Sequence, residues 1–374
     1  MYFSKVRLRN FRNLKELDTS FSPRLNVLLG QNGQGKTNVI EALYILLKGD
    51  SFRYSDNDTL ITHAEESAHL AALLIQNDLE FSLKSIITKS QKQHFINNKK
   101  VNVAEVKKNF SAVLFSPESL SAIKESSENR RALVDDLLTT YEKNNSDLLL
   151  NYRKALKTRN KILKNFVQEL TSKSETLALL ESIDPIFLNL AAELTHKRLQ
   201  ALKSLTKDFN NAMTYISGES AEEITIFYEI SGNNVLSFSL SEVSDLMRKR
   251  LQELQLAELS QGSSLVGPHK HDLKFLYGQN DSRFYCSQGQ QRAIILSFKM
   301  AQIVYHRKAH GIYPVLMLDD VLSELDKQKR DALINFLHEI NTQIFVTTTD
   351  LQLPTSFSLE NTLVANVQNG SIMS

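Results

Sequence analysis

The chain has little of three features that mark secreted, membrane-embedded or strongly charged proteins. Cys286 is the one cysteine in 374 residues, which rules out an internal disulfide framework and fits a reducing compartment. No run approaches the roughly 18 apolar residues of a membrane span, and the first residues lack the long apolar core of a signal peptide. We therefore expect a soluble, cytoplasmic protein without a membrane partner.

An excess of one charge is also lacking. The 44 Lys and Arg residues nearly balance the 42 Asp and Glu residues, which argues against a constitutive polycation, so any nucleic-acid surface must be local. Two stretches are basic enough to contact DNA, although lysines that protect a sheet edge and a solvated helix face are the respective alternatives. They comprise Lys84, Lys89, Lys92, Lys99, Lys100, Lys107 and Lys108 in the first stretch, and Arg153, Lys154, Lys157, Arg159, Lys161 and Lys164 in the second.

The length and the hydrophobic pattern predict two lobes. A chain of 374 residues exceeds the ~250 to 300 at which single cores stop growing. Strand-like alternation dominates up to about Phe115, helical periodicity follows to Gln261 with a strand-like interruption at 224–230, and a β/α pattern then returns. We predict lobe I over residues 1–116 and 262–374, and a mainly helical lobe II over 117–261. Two stripes in lobe II predict antiparallel helices: Leu148, Tyr152, Leu156, Leu163, Phe166 and Leu170, then Phe187, Leu190, Ala191, Leu194, Leu202, Leu205 and Phe209.

A complete G-x-x-x-x-G-K-[ST] phosphate-binding loop lies between an apolar run at 25–29 and an amphipathic stretch at 39–47. Its glycines let backbone N–H groups face phosphates, and the following helix adds its positive N-terminal end. Lys36 would reach the β- and γ-phosphates, and the Thr37 hydroxyl would bind the magnesium that bridges them. The loop therefore predicts an ATP or GTP ligand. The alternative is a glycine-rich turn that binds no ligand. The predicted binding residues are Gly30, Gln31, Asn32, Gly33, Gln34, Gly35, Lys36, Thr37 and Asn38.

A second chemical signal is an apolar strand, Val315 to Leu318, that ends in Asp319 and Asp320. Such a strand anchors in a sheet covered on both faces and delivers its acids to the C-terminal edge, where the phosphates would lie. Asp319 would then hold magnesium, through water, and Asp320 would orient or deprotonate the attacking water. Strand ends are often acidic, which is the alternative reading.

The third signal is Ser287-Gln288-Gly289-Gln290-Gln291, which precedes a helical pattern from Arg292 to Ile303. A serine followed by glycine at a helix start is typical of both a helix N-cap and an anion-binding terminus. Ordinary capping explains the segment in isolation. Its position before the acidic strand indicates a role at a nucleotide.

The order of phosphate loop, long insertion, S-Q-G-Q-Q signature and acidic strand resembles the ATPase heads of the ABC class, specifically the RecF recombination-mediator family related to SMC proteins. The resemblance covers the whole chain and implies an α/β, SMC/RecF-like head with a curved antiparallel sheet and a mainly helical second lobe. Further matching segments are Leu8-Arg9-Asn10-Phe11-Arg12-Asn13-Leu14, Glu41-Ala42, Ser51-Phe52-Arg53, Phe115-Ser116-Pro117-Glu118, Arg130-Arg131-Ala132-Leu133-Val134-Asp135, Gly267-Pro268-His269 and Ser323-Glu324-Leu325-Asp326.

The resemblance implies roles for residues that local chemistry leaves open. Ser287, Gly289 and Gln290 would close on ATP bound by Lys36 of a second copy, so that ATP joins a head-to-head homodimer. Asp326 would lie across the same interface. Arg12 and Asn13 would lie close to the nucleotide in their own subunit, and ordinary surface polarity is the alternative for them and for Asp326.

The implied function is DNA repair and replication. An ATP-bound dimer, with Mg²⁺, would bind double-stranded DNA near single-strand gaps and, with a RecR partner, help load recombinase onto gapped DNA. Slow hydrolysis, carried by Lys36 and Asp320, would reset the dimer. The alternative is a non-catalytic, ATP-gated DNA clamp or interaction module, because Asp320 stands where faster ABC enzymes have the longer Glu.

Three positions depart from the family pattern. Lys270-His271-Asp272 follows G-P-H where an Arg and two Asp are usual, Ser116 occupies the position of a glutamine sensor, and threonines follow the strand at 343–346 in place of a switch histidine.

Two related classes of protein fit the sequence less well. A transporter subunit would have an L-S-G-G-Q signature and a much shorter insertion, and an SMC head would need hundreds of residues of heptads.

Overall fold

The structure is a computed structural model that describes residues 1–53, 55–142, 144–218, 223–349 and 362–373, without the side chains of Thr140 and Met373. The chain forms two compact units. Unit 1 comprises Met1–Ser121, Asn211–Ala221 and Ser287–Ser374, and unit 2 comprises Ala122–Asn210 and Glu222–Cys286. Residues 262–286, expected in lobe I, belong to unit 2, because a strand at Asp272–Tyr277 pairs with one at Ile224–Ile230.

The described strands, in chain order, are β1 Tyr2–Phe11, β2 Leu14–Ser20, β3 Leu25–Leu29, β4 Ser67–Gln76, β5 Leu79–Thr88, β6 Lys92–Ile96, β7 Lys99–Val101, β8 Ala112–Phe115, β9 Ile224–Ile230, β10 Asn233–Asn234, β11 Asp272–Tyr277, β12 Asn280–Asp281, β13 Val315–Asp319, β14 Ile344–Thr348, β15 Thr362–Gln368 and β16 Ser371–Met373. The interruption predicted at 224–230 is confirmed as β9.

The described helices are α1 Lys36–Lys48, α2 Asn57–Leu60, α3 Val103–Asn109, α4 Pro117–Leu120, α5 Ser127–Tyr141, α6 Asn145–Val167, α7 Lys173–Ser217, α8 Leu240–Gln261, α9 Ser282–Tyr285, α10 Gln288–His310 and α11 Lys327–Glu339, with a 3₁₀ turn at Leu322–Glu324. Within the described ranges, no helix combines the length and the apolar character of a membrane span.

Unit 1 contains two six-stranded sheets that share one core with α1. The first sheet is antiparallel, in the order β2-β1-β4-β5-β6-β7, and the second, β16-β15-β3-β14-β13-β8, is parallel except for β16 at its edge. Helix α1 contacts strands of both sheets. Val39, Ile40, Leu43 and Leu46 are buried along one face of α1, and Glu41 and Lys48 on the opposite face are buried as well, so a helix with the predicted amphipathic pattern is enclosed between sheets.

The parallel sheet fixes where the chemistry can lie. Strands β3, β14 and β13 are neighbours and run in one direction, so their C-terminal ends meet at one edge. The register sets Thr347 of β14 between Leu28 of β3 and Asp319 of β13. Apart from the last residues of β3 and β14, these strands are buried along their length, which is typical of sheets covered on both faces, and their C-terminal edge is where such sheets bind ligands.

Unit 2 combines long helices with a small antiparallel sheet, β10-β9-β11-β12. Helices α6 and α7 are antiparallel, because Tyr152 stacks on Phe187 at 5.8 Å while Arg159, further along α6, pairs with Asp184, earlier in α7. The predicted antiparallel pair is thus confirmed. Helix α6 ends before Leu170, which is exposed, so this last residue of the predicted stripe does not contribute to the core.

Arg159 does not belong to a basic surface, contrary to the prediction. Its side chain is 1 % exposed and donates to Asp184 at 2.7 Å, Glu258 at 2.7 Å and Ser264 at 2.8 Å. The two carboxylates neutralise the buried guanidinium, which would otherwise be very unfavourable inside the protein. The remaining basic residues of the stretch, Arg153, Lys154, Lys157, Lys161 and Lys164, are exposed.

Two segments that carry the family resemblance bind each other within unit 2. Arg130 donates both arms of its guanidinium to Asp272 at 2.8 Å each, and Arg131 donates to the His271 carbonyl at 2.9 Å. Asp272 is the acid that remains after G-P-H in this chain. It therefore has a structural role, fastening α5 to β11 in the same unit.

Candidate nucleotide-binding site

The loop between β3 and α1 has the backbone that phosphate binding requires. Gly33 and Gly35 have φ angles of 81° and 111°, in the region that favours glycine. A Cβ on Gly35 would lie 2.9 Å from Asn13 Oδ1, so a larger residue would not fit. Gly35 gives α1 no side-chain cap, which leaves its first N–H groups available to an anion.

Lys36 lies over this loop. Its side chain is almost fully buried, and Nζ donates to the carbonyls of Gly30 at 2.7 Å and Gln31 at 3.1 Å. Two neutral carbonyls leave a buried ammonium poorly compensated, so an anion at this point would stabilise it. The arrangement fits a phosphate group.

Thr37 and Asp319 meet beside the loop. The Thr37 hydroxyl donates to Asp319 Oδ1 at 2.8 Å, and the Thr347 hydroxyl donates to the same oxygen at 2.9 Å. Burial raises the pKa of Asp319 to about 6, outweighing the opposite effect of these hydroxyl donors. A cation would favour the ionised form, and hydroxyl and carboxylate oxygens are ligands that Mg²⁺ prefers. The residues present therefore fit the predicted metal.

Asp320 leaves the strand through a left-handed backbone, with φ of 50°. Its N–H donates to the Thr347 hydroxyl at 2.9 Å, and its carbonyl accepts from Ser323 at 2.8 Å. Asp is one of the few non-glycine residues that adopt this conformation readily. Thr347 thus contacts both acids. It is one of the threonines near the end of β14 that replace the switch histidine of transporter ATPases.

Arg12 is held by a buried carboxylate. Its guanidinium donates to both oxygens of Glu41, at 3.0 and 2.8 Å, and also to Ser55 and the Thr59 carbonyl. Glu41 is fully buried and also accepts from Ser51. These contacts join Arg12 to the middle of α1, and a direct contact of Arg12 with nucleotide stays a prediction. Glu41 was not predicted as a site residue, although a charge within the apolar run of α1 was a usable signal.

Asn13 lies against the phosphate loop. Its amide donates to the Gly33 carbonyl at 3.4 Å and accepts from Asn38 at 2.8 Å. Arg53 in turn donates to Asn38 Oδ1 at 3.0 Å. The chain therefore brings Asn13 and Asn38 together with the loop, and adds Arg53, whose role was not predicted.

The signature forms a second cluster on α10 and α11. Ser287 caps α10 by a reciprocal pair of bonds with Gln290, at 2.8 and 3.3 Å, so the capping alternative is realised in the structure. Asp326 caps α11 and forms an ion pair with Lys329, whose Nζ would lie 3.7 Å from a Cβ on Gly289. Ser287, Gln290 and Asp326 are exposed.

The predicted site residues therefore fall into two groups. The first group surrounds the phosphate loop, and the second surrounds the N-termini of α10 and α11. Among the described residues, no hydrogen bond of Ser287 or Gln290 reaches the phosphate loop; their bonds stay within the cap. Within the described part of one copy, hydrogen bonds therefore do not join these two signature residues to the phosphate loop.

Comparisons with known proteins agree over the full length. The profile of the RecF/RecN/SMC N terminal domain matches residues 2–371. The DNA replication and repair protein RecF of Lactobacillus acidophilus is 34% identical over 378 residues, which cover 100% of this chain and 98% of the relative. The protein of the same name from Halothermothrix orenii is also 34% identical, with the same coverage.

Solved structures are similar as well. The RecF-ATPrS form of the recombination mediator RecF in the RecFOR pathway matches with a TM-score of 0.86 and 30% identity, covering 99% of this chain and 97% of that chain. The RecF-ATP form matches at 0.85 and 29%, covering 100% and 97%. An SMC head domain from Pyrococcus furiosus, 16% identical with a TM-score of 0.51, shares the fold alone. The predicted fold class, an SMC/RecF-like head with a helical lobe, is confirmed.

Proposed function

The chain belongs to the RecF family of DNA replication and repair proteins, and from this membership we propose that it is an ATP-dependent, DNA-binding recombination mediator. The observation that carries the proposal is the hydrogen bond from the Thr37 hydroxyl to Asp319 at 2.8 Å. Thr37 is the residue that directly follows Lys36 in the phosphate loop. A phosphate loop, a metal-binding hydroxyl and a buried carboxylate are the parts that a nucleoside triphosphate site needs.

In the proposed site, loop N–H groups and Lys36 bind the phosphates of ATP. Thr37 and Asp319 would hold Mg²⁺, which would supply positive charge beside the phosphates. Asp320 accepts a proton from the attacking water while the oxygen of that water forms a bond to the γ-phosphorus of ATP. The bond to the bridging oxygen then breaks, giving ADP and inorganic phosphate.

The second half of the site is supplied by another copy. Ser287, Gly289 and Gln290 bind the γ-phosphate held by Lys36 of the second copy, and Asp326 lies at the same interface. The exposure of Ser287, Gln290 and Asp326 supports this arrangement. Unit 1 then acts as the ATPase head and unit 2 as the arm. The ATP-bound homodimer binds double-stranded DNA near gaps, and with a RecR-like partner it helps load recombinase before slow hydrolysis resets it.

The Lys36→Ala variant tests nucleotide-dependent assembly. Removing the ammonium deletes the main charge that binds the phosphates, so ATP should no longer join two copies. Light scattering with ATP and Mg²⁺ should show a mass about twice the monomer for wild type, and a monomer for the variant. Exposed Lys15→Ala is the matched control and should dimerise normally. An ATP-dependent mass shift in Lys36→Ala equal to that of wild type would contradict the assignment.

The exposed face of the antiparallel sheet is the proposed DNA contact. Residues opposite each other on paired strands share a face, and the register aligns Lys84 of β5 with Phe95 of β6 and Lys100 of β7. Lys84 Nζ lies 5.9 Å from the Phe95 ring centre. Both lysines are exposed, about 10 Å apart across two strand spacings, a separation suited to neighbouring phosphates.

Charge reversal distinguishes this face from the basic face of α6. Lys84→Glu with Lys100→Glu should weaken binding to a gapped duplex about tenfold and lower the salt slope by about two, because two phosphate contacts are lost. Lys154→Glu with Lys157→Glu, on α6, is the matched pair and should have little effect. Fluorescence anisotropy with ATP at two salt concentrations measures both. A loss confined to the α6 pair would move the DNA contact to that helix.

Hydrolysis separates an ATPase from the alternative, a non-catalytic ATP-gated clamp. Asp320→Asn keeps the size and tolerates the left-handed backbone but cannot accept the proton, so steady-state hydrolysis should fall about a hundredfold while ATP binding persists. Asp78→Asn is the control: Asp78 is exposed and also has a positive φ, 61°, in the turn between β4 and β5. Equal rates for wild type and Asp320→Asn would remove Asp320 from catalysis and favour the clamp.

A further inference from the structure

The C-terminal hairpin ends in a turn whose backbone amides do not point to solvent. Strands β15 and β16 pair with Gln368 opposite Ser371, which leaves Asn369 and Gly370 as a two-residue turn. Their φ angles are 50° and 75°, and two positive values in this position are typical of a type I′ turn, for which Asn-Gly is the favoured sequence. The turn itself is therefore explained by local chemistry.

The phosphate loop accepts both amides of this turn. The Asn369 N–H donates to Gln34 Oε1 at 2.7 Å, and the Gly370 N–H donates to the Gln34 carbonyl at 2.9 Å. Gln34 lies in the middle of the loop, between Gly33 and Gly35. The hairpin thus binds one loop residue through its side chain and its backbone together.

Close packing makes this contact specific to glycine. A Cβ on Gly370 would lie 2.3 Å from the Asn13 carbonyl oxygen, and a Cβ on Gly30 would lie 2.4 Å from the Val367 carbonyl oxygen. Both neighbours are backbone atoms, which cannot rotate away as a side-chain end can. The hairpin therefore contacts the loop near its first residue and again at Gln34.

A consequence follows from peptide geometry. The peptide between Gln34 and Gly35 is trans and planar, so its C=O and N–H groups point in opposite directions. The Gly370 N–H holds the Gln34 carbonyl towards the hairpin, which turns the Gly35 N–H away from the hairpin. Loop N–H groups are the phosphate-binding groups of such a site.

We propose that the Asn369–Gly370 turn positions the phosphate loop for nucleotide binding by fixing the orientation of the Gln34–Gly35 peptide. This role rests on the proposed ATP binding and adds three positioning residues to it. Gln34 acts through its side-chain and backbone carbonyl oxygens, and Asn369 and Gly370 act through their N–H groups. The hairpin lies more than 330 residues along the chain from the loop that it holds.

The test compares two glycines with the same φ angle. Gly370 and Gly311 both have φ of 75°, but a Cβ on Gly311 would meet only Arg307 Nη1, at 3.8 Å. Alanine therefore introduces strain at a similar positive φ in both positions, whereas only Gly370→Ala displaces the turn from the loop. The difference between the variants isolates the contact from the strain.

Calorimetric titration of the full chain with ATP and Mg²⁺ should show about tenfold weaker binding for Gly370→Ala and binding within about twofold of wild type for Gly311→Ala, since the loop loses two hydrogen bonds in the former. Hydrogen exchange without nucleotide should rise in peptides covering 30–37 for Gly370→Ala alone. Asn369→Gly, which keeps both N–H donors, should retain affinity. Gln34→Met, which removes the side-chain acceptor, should weaken binding even if Gly370→Ala folds poorly.

Two results overturn the proposal: affinities of Gly370→Ala and Gly311→Ala within twofold of each other, or unchanged exchange at 30–37. The wild type and Lys36→Ala separate this failure from a wider one. If wild type binds ATP and Lys36→Ala does not, while Gly370→Ala binds normally, only the role of the turn is wrong. If wild type itself binds no ATP, the proposed function fails.

Discussion

The hydrogen bond from Thr37 to Asp319 depends on the order of three parallel strands. Because β14 lies between β3 and β13, it sets the spacing between the phosphate loop and the acidic strand end, and its Thr347 donates to Asp319 and accepts from the Asp320 N–H. Burial raises the pKa of Asp319, while Lys36 is buried and donates to two backbone carbonyls. A divalent cation and a polyanion together would stabilise both groups, so the charges of the site suit magnesium and a nucleoside triphosphate.

The exposed helix caps give the site its second property. Ser287 and Asp326 cap the N-termini of α10 and α11 within one copy, so these helix starts do not need a second copy to be capped. Binding of ATP between copies would then add contacts that neither copy makes alone. In such a system the nucleotide shifts a monomer–dimer equilibrium, and its main effect is on assembly rather than on rapid turnover.

Local chemistry was enough to predict the elements whose residues are contiguous, such as the strand and helix on either side of the phosphate loop and the strand that ends in Asp319. It failed where the partner is distant. Arg159 was assigned to a basic helix face because its neutralising partner Glu258 lies about a hundred residues away, and helical periodicity carries no information about such a partner. For the same reason the sequence places residues 262–286 in lobe I, whereas the structure places them in unit 2. The pairing of β11 with β9 that decides this is non-local. The hold of Gly370 on Gln34 is a further long-range contact that no motif indicates.

Mixing two inactive variants tests the central claim, that the site is shared between copies, most directly. Lys36→Ala lacks the phosphate-binding lysine, and Ser287→Arg places a large side chain on the signature. The mixture can form one complete site, from Lys36 of the Ser287→Arg chain and Ser287 of the Lys36→Ala chain. Light scattering with ATP and Mg²⁺ should show monomers for each variant alone and a dimer for the mixture. A mixture that stays monomeric while wild type dimerises, or a Ser287→Arg variant that dimerises alone, would contradict a site shared in this way.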